Sequence, residues 1–397
     1  MSGVPPGPRG REYDIAVVGL GGIGSAAAYW AARAGATVVG FEQFELGHDR
    51  GASHDHSRII RLSYHTPGYV ELAKAAYEAW TELETDADEP LIVRTGGLDL
   101  FPPAAAITPD DYRRSLEHAG VAYEWLDGAE IRARWPQFRV ADDVAGLFQE
   151  AGGIAPAQRA TEVHQRMAAA HGARLLPHTP VESIRSVDGE VEIVTGAGTY
   201  RVAHVVVAAD AWANELLAPL GSEIPLTVLR EQVTYFDTPV PERFATDRLP
   251  VWIWMDDPSF YGFPVYGEAN AVKAAEDCGG QPTTARARSF DTDPVELARL
   301  VDFMTGLFGA DAIGGPRRTK TCLYTLTPDR DFVLDAVPGS PEVLVALGAA
   351  HGFKFASWFG RTLTELALGG TTTSDIAPFA FDRPALTDRA YAPNWMV

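Results

Sequence analysis

The sequence predicts an α/β fold, with α+β elements: a Rossmann-like domain assembled from both ends and the middle of the chain, with an antiparallel β-sheet layer inserted in pieces. Three observations predict it. Residues 13–19 (YDIAVVG) are a β-rich run leading into a glycine-rich turn, a small-residue helix over 23–34 and a second strand over 37–42, which together make a β-α-β unit. Residues 199–209 end in the continuous apolar run VVVAA, the texture of a strand buried on both faces of a parallel sheet. Residues 227–236, 251–255 and 260–266 are aromatic and β-branched instead, which suits an antiparallel sheet.

The remaining elements follow in order. Residues 43–57 form a polar loop with three histidines. An amphipathic helix is expected over 68–84, and a strand over 91–101 with a kink at Gly96 and Gly97. Helices follow at about 108–119 and 128–134, the second stopped by Pro136. Residues 158–171 are Ala-rich and helical, and 174–184, 191–195 and 199–209 read as a strand and a hairpin. Residues 278–292 read as an exposed loop and 294–308 as a helix. The α/β texture then returns, with a strand over 343–348 and a helix over about 353–368.

Composition narrows the function classes. The chain has 397 residues, of which 46% are hydrophobic and 22% charged, enough for two cores. A net charge of −20 argues against a nucleic-acid partner, because phosphate binding needs a basic face. No apolar run is long enough for a membrane-spanning helix, so no membrane partner is expected. The first residues, with Pro5, Pro6, Pro8, Arg9 and Arg11, lack the apolar core of a signal peptide; a disordered leader is expected over 1–11 and the cytoplasm is the default compartment. Two cysteines, Cys278 and Cys322, do not make a disulfide framework. His48, His56, Asp49 and Asp55 are metal-ligand types, but no metal site is assigned to that loop.

Gly19-Leu20-Gly21-Gly22-Ile23-Gly24 matches G-x-G-x-x-G. Gly19 allows a tight turn, Gly21 lets backbone approach a pyrophosphate, and Gly24 lets helix and strand pack closely, with Gly22 and Ile23 at the helix N-terminus facing the phosphates. Glu42 ends the second strand, where a carboxylate accepts hydrogen bonds from an adenosine ribose. The motif alone does not separate FAD from NAD.

Four further segments carry a family likeness: SHDHSRIIR (53–61), YGFP (261–264), KTCLYTLTPD (320–329) and HGFKF (351–355), with DIAPFAFDRPAL near the end. In order and spacing they resemble the monomeric sarcosine oxidase, N-methyltryptophan oxidase and pipecolate oxidase family, over about residues 12–386. The resemblance implies an FAD-binding domain from 12–84, 145–223 and 315–386, and a substrate domain from 85–144 and 224–314. It implies FAD linked covalently through Cys322, a thiolate being the competent nucleophile, with Lys320, Arg317 and Arg318 expected to favour that thiolate. The plain reading of a lone cysteine is a small buried hydrophobe, which is how Cys278 is taken.

The same resemblance implies that Arg61 and Lys354 bind a substrate carboxylate. Arg58 would lie beside the flavin ring, and Lys273 over its other face, where a fixed cation favours reaction with oxygen. Tyr261 and Tyr324 would line the substrate pocket, or be core aromatics with satisfied hydroxyls. Ser53 and His54 would lie near the ribityl chain and phosphates, and Gly352 and His351 beside the flavin, His351 through a capping or a catalytic role.

Three positions depart from the pattern. Asp277 stands where sarcosine oxidases have an active-site histidine; a related oxidase of a cyclic imino acid has aspartate there, but lacks the histidine of HGFKF that this chain keeps. Asp210 stands where relatives usually have glycine, and the SHDHSR loop has the pipecolate oxidase length. The implied reaction is oxidation of a secondary-amine amino acid to an imine, with O2 reduced to H2O2, by a monomer. The alternative is oxidation of a cyclic amino or imino acid such as pipecolate or piperideine-carboxylate.

Overall fold

A computed structural model describes residues 11–394, so that the leader expected over 1–11 lies, apart from Arg11, outside the described residues. The chain divides into two compact units: residues 11–53, Ala160–Leu226 and Thr327–Pro393 in one, His54–Arg159 and Thr227–Leu326 in the other. No helix among the described residues is long and apolar enough to cross a membrane.

The first unit is built on an eight-stranded sheet. Its centre is Tyr13–Val18, paired in parallel with Val38–Phe41 on one side and Gly198–Val207 on the other. Ser340–Leu347 and Arg174–Leu176 extend the parallel set. Antiparallel strands Glu190–Thr195, Val181–Val187 and Val333–Val337 complete it. Every residue of Val38–Phe41 is buried, as a parallel strand covered on both faces requires. Helix Gly22–Arg33 packs against helix Ala356–Gly369 through small residues: a Cβ on Gly360 would come within 2.5 Å of the Ala26 carbonyl carbon. The Trp30 indole N–H closes the contact by donating to Ser357 Oγ at 3.1 Å.

The second unit holds a nine-stranded sheet. Its longest pairing is antiparallel, Thr227–Asp237 against Pro316–Leu326, with Glu231 opposite Cys322 and Val233 opposite Lys320. Ala271–Asp277, Ser259–Phe263 and Val251–Trp254 continue the antiparallel order. The inserted sheet is antiparallel as expected except at one seam, where Val251–Trp254 runs parallel to Gly97–Phe101. Behind the sheet lies helix Pro294–Phe308, capped by the Asp293 carboxylate and started by proline. Phe303 on this helix stacks on Phe260 with centroids 4.0 Å apart, and Phe308 meets Trp252 edge-on, so the aromatics of the sheet form one core. A small three-stranded sheet joins Arg58–Ile60, Gly153–Ala155 and Val93–Arg94.

Most elements fall within a residue or two of the sequence reading. The run 174–184 is two strands, Arg174–Leu176 and Val181–Val187, because Pro177 and Pro180 cannot donate to a ladder. The last helix begins as a 3-10 turn at Gly352–Phe355 before Ala356–Gly369. The unit boundaries differ from the expected domains. Residues 54–84, 145–159 and 315–326 join the second unit, because Arg58–Ile60 pairs with Gly153–Ala155 and Pro316–Leu326 with Thr227–Asp237.

Candidate active site

In the first unit the glycine turn has the shape its spacing requires. Gly19 has φ +89, and a Cβ there would lie 2.6 Å from the Ala208 carbonyl oxygen. A Cβ on Gly24 would lie 1.8 Å from the Gly19 oxygen, leaving no room for any other residue. Gly21 caps the helix with no side-chain hydrogen bond, and Ser53 Oγ accepts the Gly22 N–H at 2.8 Å. Glu42 is buried and accepts the Leu20 N–H at 3.0 Å and the Phe44 N–H at 3.1 Å, with His48 Nε2 at 3.4 Å. Burial opposes its charge, but His48 and the two amides outweigh burial and hold its carboxyl below the usual range. Three acceptor positions are used, and a carboxylate offers about four. Asp210 adopts φ +46, a conformation glycine takes at less cost.

The HGFKF turn also belongs to the first unit. Ala349 and Ala350 have φ +44 and +69, a tight reversal ahead of His351. His351 Nε2 meets the Arg330 carbonyl at 2.9 Å, and its ring lies 4.7 Å from that of Phe332. This histidine sits at the N-cap of the turn but makes no side-chain cap hydrogen bond; its side chain ties the turn to Arg330 instead. Gly352 is buried, and Phe353 closes on Gly22, where a Cβ would come within 2.7 Å of its ring. Lys354 lies within the 3-10 turn, with Nζ 5.9 Å from the centre of the Phe355 ring.

The second unit gathers most of the other singled-out residues. On one face of the sheet, Cys322 and Lys320 on Pro316–Leu326, Glu231 and Tyr235 on Thr227–Asp237, and Lys273 on Ala271–Asp277 stand side by side, because cross-strand partners share a face. Lys273 is 2% exposed and its Nζ donates to Asp55 Oδ2 at 2.7 Å and to Ser57 O and Oγ at 3.0 and 3.1 Å. Arg58 donates to the Ser57 and His54 carbonyls at 2.7 and 3.0 Å. Desolvation disfavours the Arg58 guanidinium, yet Cys322, Asp55, Tyr261 and Tyr324 around it raise its pKa above the ordinary value. The hydroxyls of Tyr261 and Tyr324 meet at 3.3 Å. Burial, then the neighbouring acidic groups, push both phenols well up, so both are neutral donors. Asp277 stands two residues along its strand from Ala275, the partner of Tyr261, and its charge adds to the rise of both tyrosines. His54 is buried with neither ring nitrogen hydrogen-bonded among the described residues; burial, then Arg58, pull its pKa down to about 3, so it is neutral.

Two expectations change. Arg317 and Arg318 do not serve Cys322: Arg317 pairs with Asp237 at 2.5 Å, Arg318 with Glu268, and Lys320 with Asp55 at 3.1 Å. Burial pushes the Cys322 thiol up to about 11, with Glu231 opposite it adding to the rise, and Arg58 is the cation that most opposes this. Arg61 is also already paired. Its Nη1 donates to Asp99 Oδ1 at 2.9 Å, and its guanidinium lies over Tyr64 and Tyr112, 5.1 and 5.8 Å from their ring centres. Its Nε has no hydrogen-bond partner among the described residues. The residues missed from sequence are Asp55, Asp99, Glu231 and Tyr235. Asp55 lies inside the SHDHSRIIR segment and has a positive φ, but neither assigned it a partner.

Among the described residues no group of three or more His, Cys, Asp or Glu is arranged to hold a metal ion. A dinucleotide fits the residues of the first unit: a Cβ on Gly19 or Gly24 would come within 2.6 Å of backbone, and the helix that follows starts from a glycine N-cap. The FAD dependent oxidoreductase family model matches residues 14–366. The chain is 32% identical to a monomeric sarcosine oxidase of Arthrobacter sp. over 386 residues, 96% of this chain and 98% of that one. It is 31% identical to an N-methyl-L-tryptophan oxidase of Salmonella typhimurium over 379 residues, 94% of this chain and 99% of the other. The structure of NikD, described as an unusual amino acid oxidase essential for nikkomycin biosynthesis, matches with a TM-score of 0.83 at 26% identity, over 93% of this chain and 97% of that one. With a glycine cradle shaped for a dinucleotide and a match over nearly its whole length, the chain belongs to the FAD dependent oxidoreductase family.

Proposed function

We propose that this enzyme oxidises a secondary-amine amino acid, sarcosine or another N-methyl amino acid, to the imine, with its FAD attached through Cys322 Sγ. The observation that carries the reading is the setting of Cys322: a thiol on the same sheet face as Lys273, with Arg58 and the Tyr261–Tyr324 pair around it, in a chain 32% identical to a sarcosine oxidase. In balance, the substrate CH–NH becomes C=N, two electrons and two protons end on O2 as H2O2, and water hydrolyses the imine. Bound FAD supplies the two-electron relay between amine and oxygen. Gly19, Gly21, Gly22, Ile23, Gly24, Glu42 and Ser53 would hold its dinucleotide end, and His54, Arg58, Cys322 and Gly352 its ring end.

The chain's own residues do the rest. Arg61 and Lys354 hold the substrate carboxylate; the free Nε of Arg61 is a donor that its pairing with Asp99 leaves unused. The amine reacts in its neutral form, and the neighbouring cations favour that form. Neutral Tyr261 and Tyr324 offer O–H groups to the substrate. Lys273 supplies a positive charge as electrons reach oxygen. The reading makes the protein a cytoplasmic monomer, in keeping with the named monomeric relative. A second reading, a cyclic amino or imino acid as substrate, is favoured by one observation, the acidic Asp277, whose charge adds to the rise of both tyrosines.

Acid precipitation of the purified protein tests the covalent link. Flavin is expected to stay with the wild-type pellet and to leave with Cys322→Ala. Release from both would remove the link and leave a non-covalent FAD enzyme. A peroxide assay across sarcosine, larger N-methyl amino acids, proline and pipecolate separates the two substrate readings by the largest kcat/KM.

A further inference from the structure

One carboxylate in the second unit has no part in the reading above. Asp55 lies in the polar loop, 1% exposed, at φ +75, with its carbonyl tied to the Gln158 N–H at 3.0 Å. Its Oδ2 takes Lys273 Nζ at 2.7 Å and the Tyr235 hydroxyl at 3.0 Å. Its Oδ1 takes Lys320 Nζ at 3.1 Å and the same hydroxyl at 2.9 Å. Tyr235, Lys320 and Lys273 come from three adjacent strands and stand on one sheet face, so the sheet delivers three donors to one carboxylate.

We propose that Asp55 is a positioning residue for Lys273, fixing its Nζ in place as an ammonium. Three donors converge on the two carboxylate oxygens, an arrangement that suits Asp55 to holding its partners in place. The Lys273 amine has three partners that can accept, Asp55 Oδ2, Ser57 O and Ser57 Oγ, which matches the three donors of an ammonium. Charge points the same way. Arg58, Lys320 and Lys273 face this one carboxylate, and without it the nearly inaccessible Lys273 ammonium would share the site with two further cations and no counter-charge from Asp55. The other groups facing Lys273 are Cys322, His56 and the rings of Tyr235 and Phe263, the last with its centre 4.9 Å from Nζ. Burial pulls the lysine down to about 8 even with Asp55 in place, while Asp55 itself is held far below the usual carboxylate range by Lys273, Arg58 and Lys320 against its own burial.

The consequence for the reaction rests on Lys273 serving oxygen as proposed above, but the positioning claim can be read without it. The chain has only four lysines, Lys74, Lys273, Lys320 and Lys354. The full-length protein as purified, labelled with carbon-13 at the lysine ε-carbon, therefore gives a spectrum in which Lys273 is assigned by its loss in Lys273→Arg. The wild-type Lys273 signal is expected to titrate near pH 8. In Asp55→Asn the midpoint falls by about 1–3 units, the range for loss of an adjacent opposite charge. Asp55→Gly relieves the backbone conformation and folds readily, yet shows the same fall, and Asp55→Glu restores part of it. An unmoved midpoint in both Asn and Gly variants would overturn the proposal, as would a Gly variant that titrates like wild type. In the pH profile, kcat/KM for oxygen loses about tenfold per pH unit above the lowered midpoint in Asp55→Asn and falls more than kcat/KM for the amine. If Lys273→Met leaves the oxygen step as fast as wild type, the role given to Lys273 fails, and the titration still decides whether Asp55 positions it.

Discussion

The glycine turn of the first unit and the Asp55–Lys273 cluster of the second are both closely packed, yet they are built in opposite ways. The turn is local: Gly19 to Gly24 are consecutive, and steric exclusion alone dictates their identity, with the Cβ of an alanine at 24 landing 1.8 Å from backbone oxygen. The cluster is assembled from positions 55, 57, 235, 273 and 320, and what holds it is charge balance rather than exclusion. A site made by exclusion tolerates no added atom. A site made by charge balance tolerates atoms but not a missing partner.

Four substitutions would break or sharpen this contrast. The largest effect is expected where a buried charge loses its partner outside both sites. Asp99→Asn strands Arg61, whose guanidinium and carboxylate partner are 6% and 3% exposed, and should cost about 3–5 kcal/mol in denaturant unfolding. An effect below about 1 kcal/mol would mean that Arg61 finds another anion or water.

Gly24→Ala comes next. Its methyl must displace backbone, so a loss of about 3 kcal/mol and poor flavin content after purification are expected. Full flavin content in this variant would show that the turn yields, and the exclusion half of the contrast would fail.

Tyr235→Phe removes one donor from Asp55 and leaves both lysines in place. About 1–2 kcal/mol should be lost, with the Lys273 titration moving far less than in Asp55→Asn. Equal movement would place the control of Lys273 in the phenol instead.

The smallest effect is set at Asp14, which accepts Thr37 Oγ1 and the Thr37 N–H at 2.7 and 2.8 Å on a partly exposed edge. The Thr37 hydroxyl, then its amide and Arg11, lower this carboxyl to about 2. A depressed carboxyl contributes stability that is present above its unfolded pKa and is lost as pH falls through the folded one, here in the window from about 4 down to about 2. Solvent screening limits the effect to a few tenths of a kcal/mol. Asp14→Asn should therefore lower the unfolding midpoint slightly at neutral pH and not at all near pH 2.

The legibility of the two regions follows their construction. G-x-G-x-x-G with a following strand ending in Glu42 is a short-range pattern, and each glycine has a steric reason that a reader of the sequence can state. Family likeness supplied Arg58, Lys273, Tyr261, Tyr324 and Cys322, and the fold puts these five in one unit. It did not supply their partners. Asp55 stood out in the sequence only as a metal-ligand type in a polar loop, and Asp99 did not stand out within its expected strand. Lys320, Arg317 and Arg318 looked like thiolate-stabilising cations because they adjoin Cys322 in sequence. Alternation puts only Arg317 on the opposite face from Cys322; Arg318 and Lys320 share its face and are taken by other carboxylates, so that Asp237 holds Arg317, Glu268 holds Arg318 and Asp55 holds Lys320. The proximity that counts for Cys322 is to Arg58, from a strand in another sheet.

By itself the sequence determined what depends on residues close in the chain: the β-α-β opening, the glycine turn, the helices with proline starts and polar caps, and the apolar and aromatic runs that separate two sheet types. These are set by sterics and by periodicity, which act over a few residues. The tertiary structure alone decided which strands became neighbours, and so where the two units part at residues 53 and 54, which cations are free and which already paired, and that a loop aspartate stands beneath Lys273. Charge pairing in a low-dielectric interior acts through space between side chains far apart in sequence, and only the folded register brings them within reach.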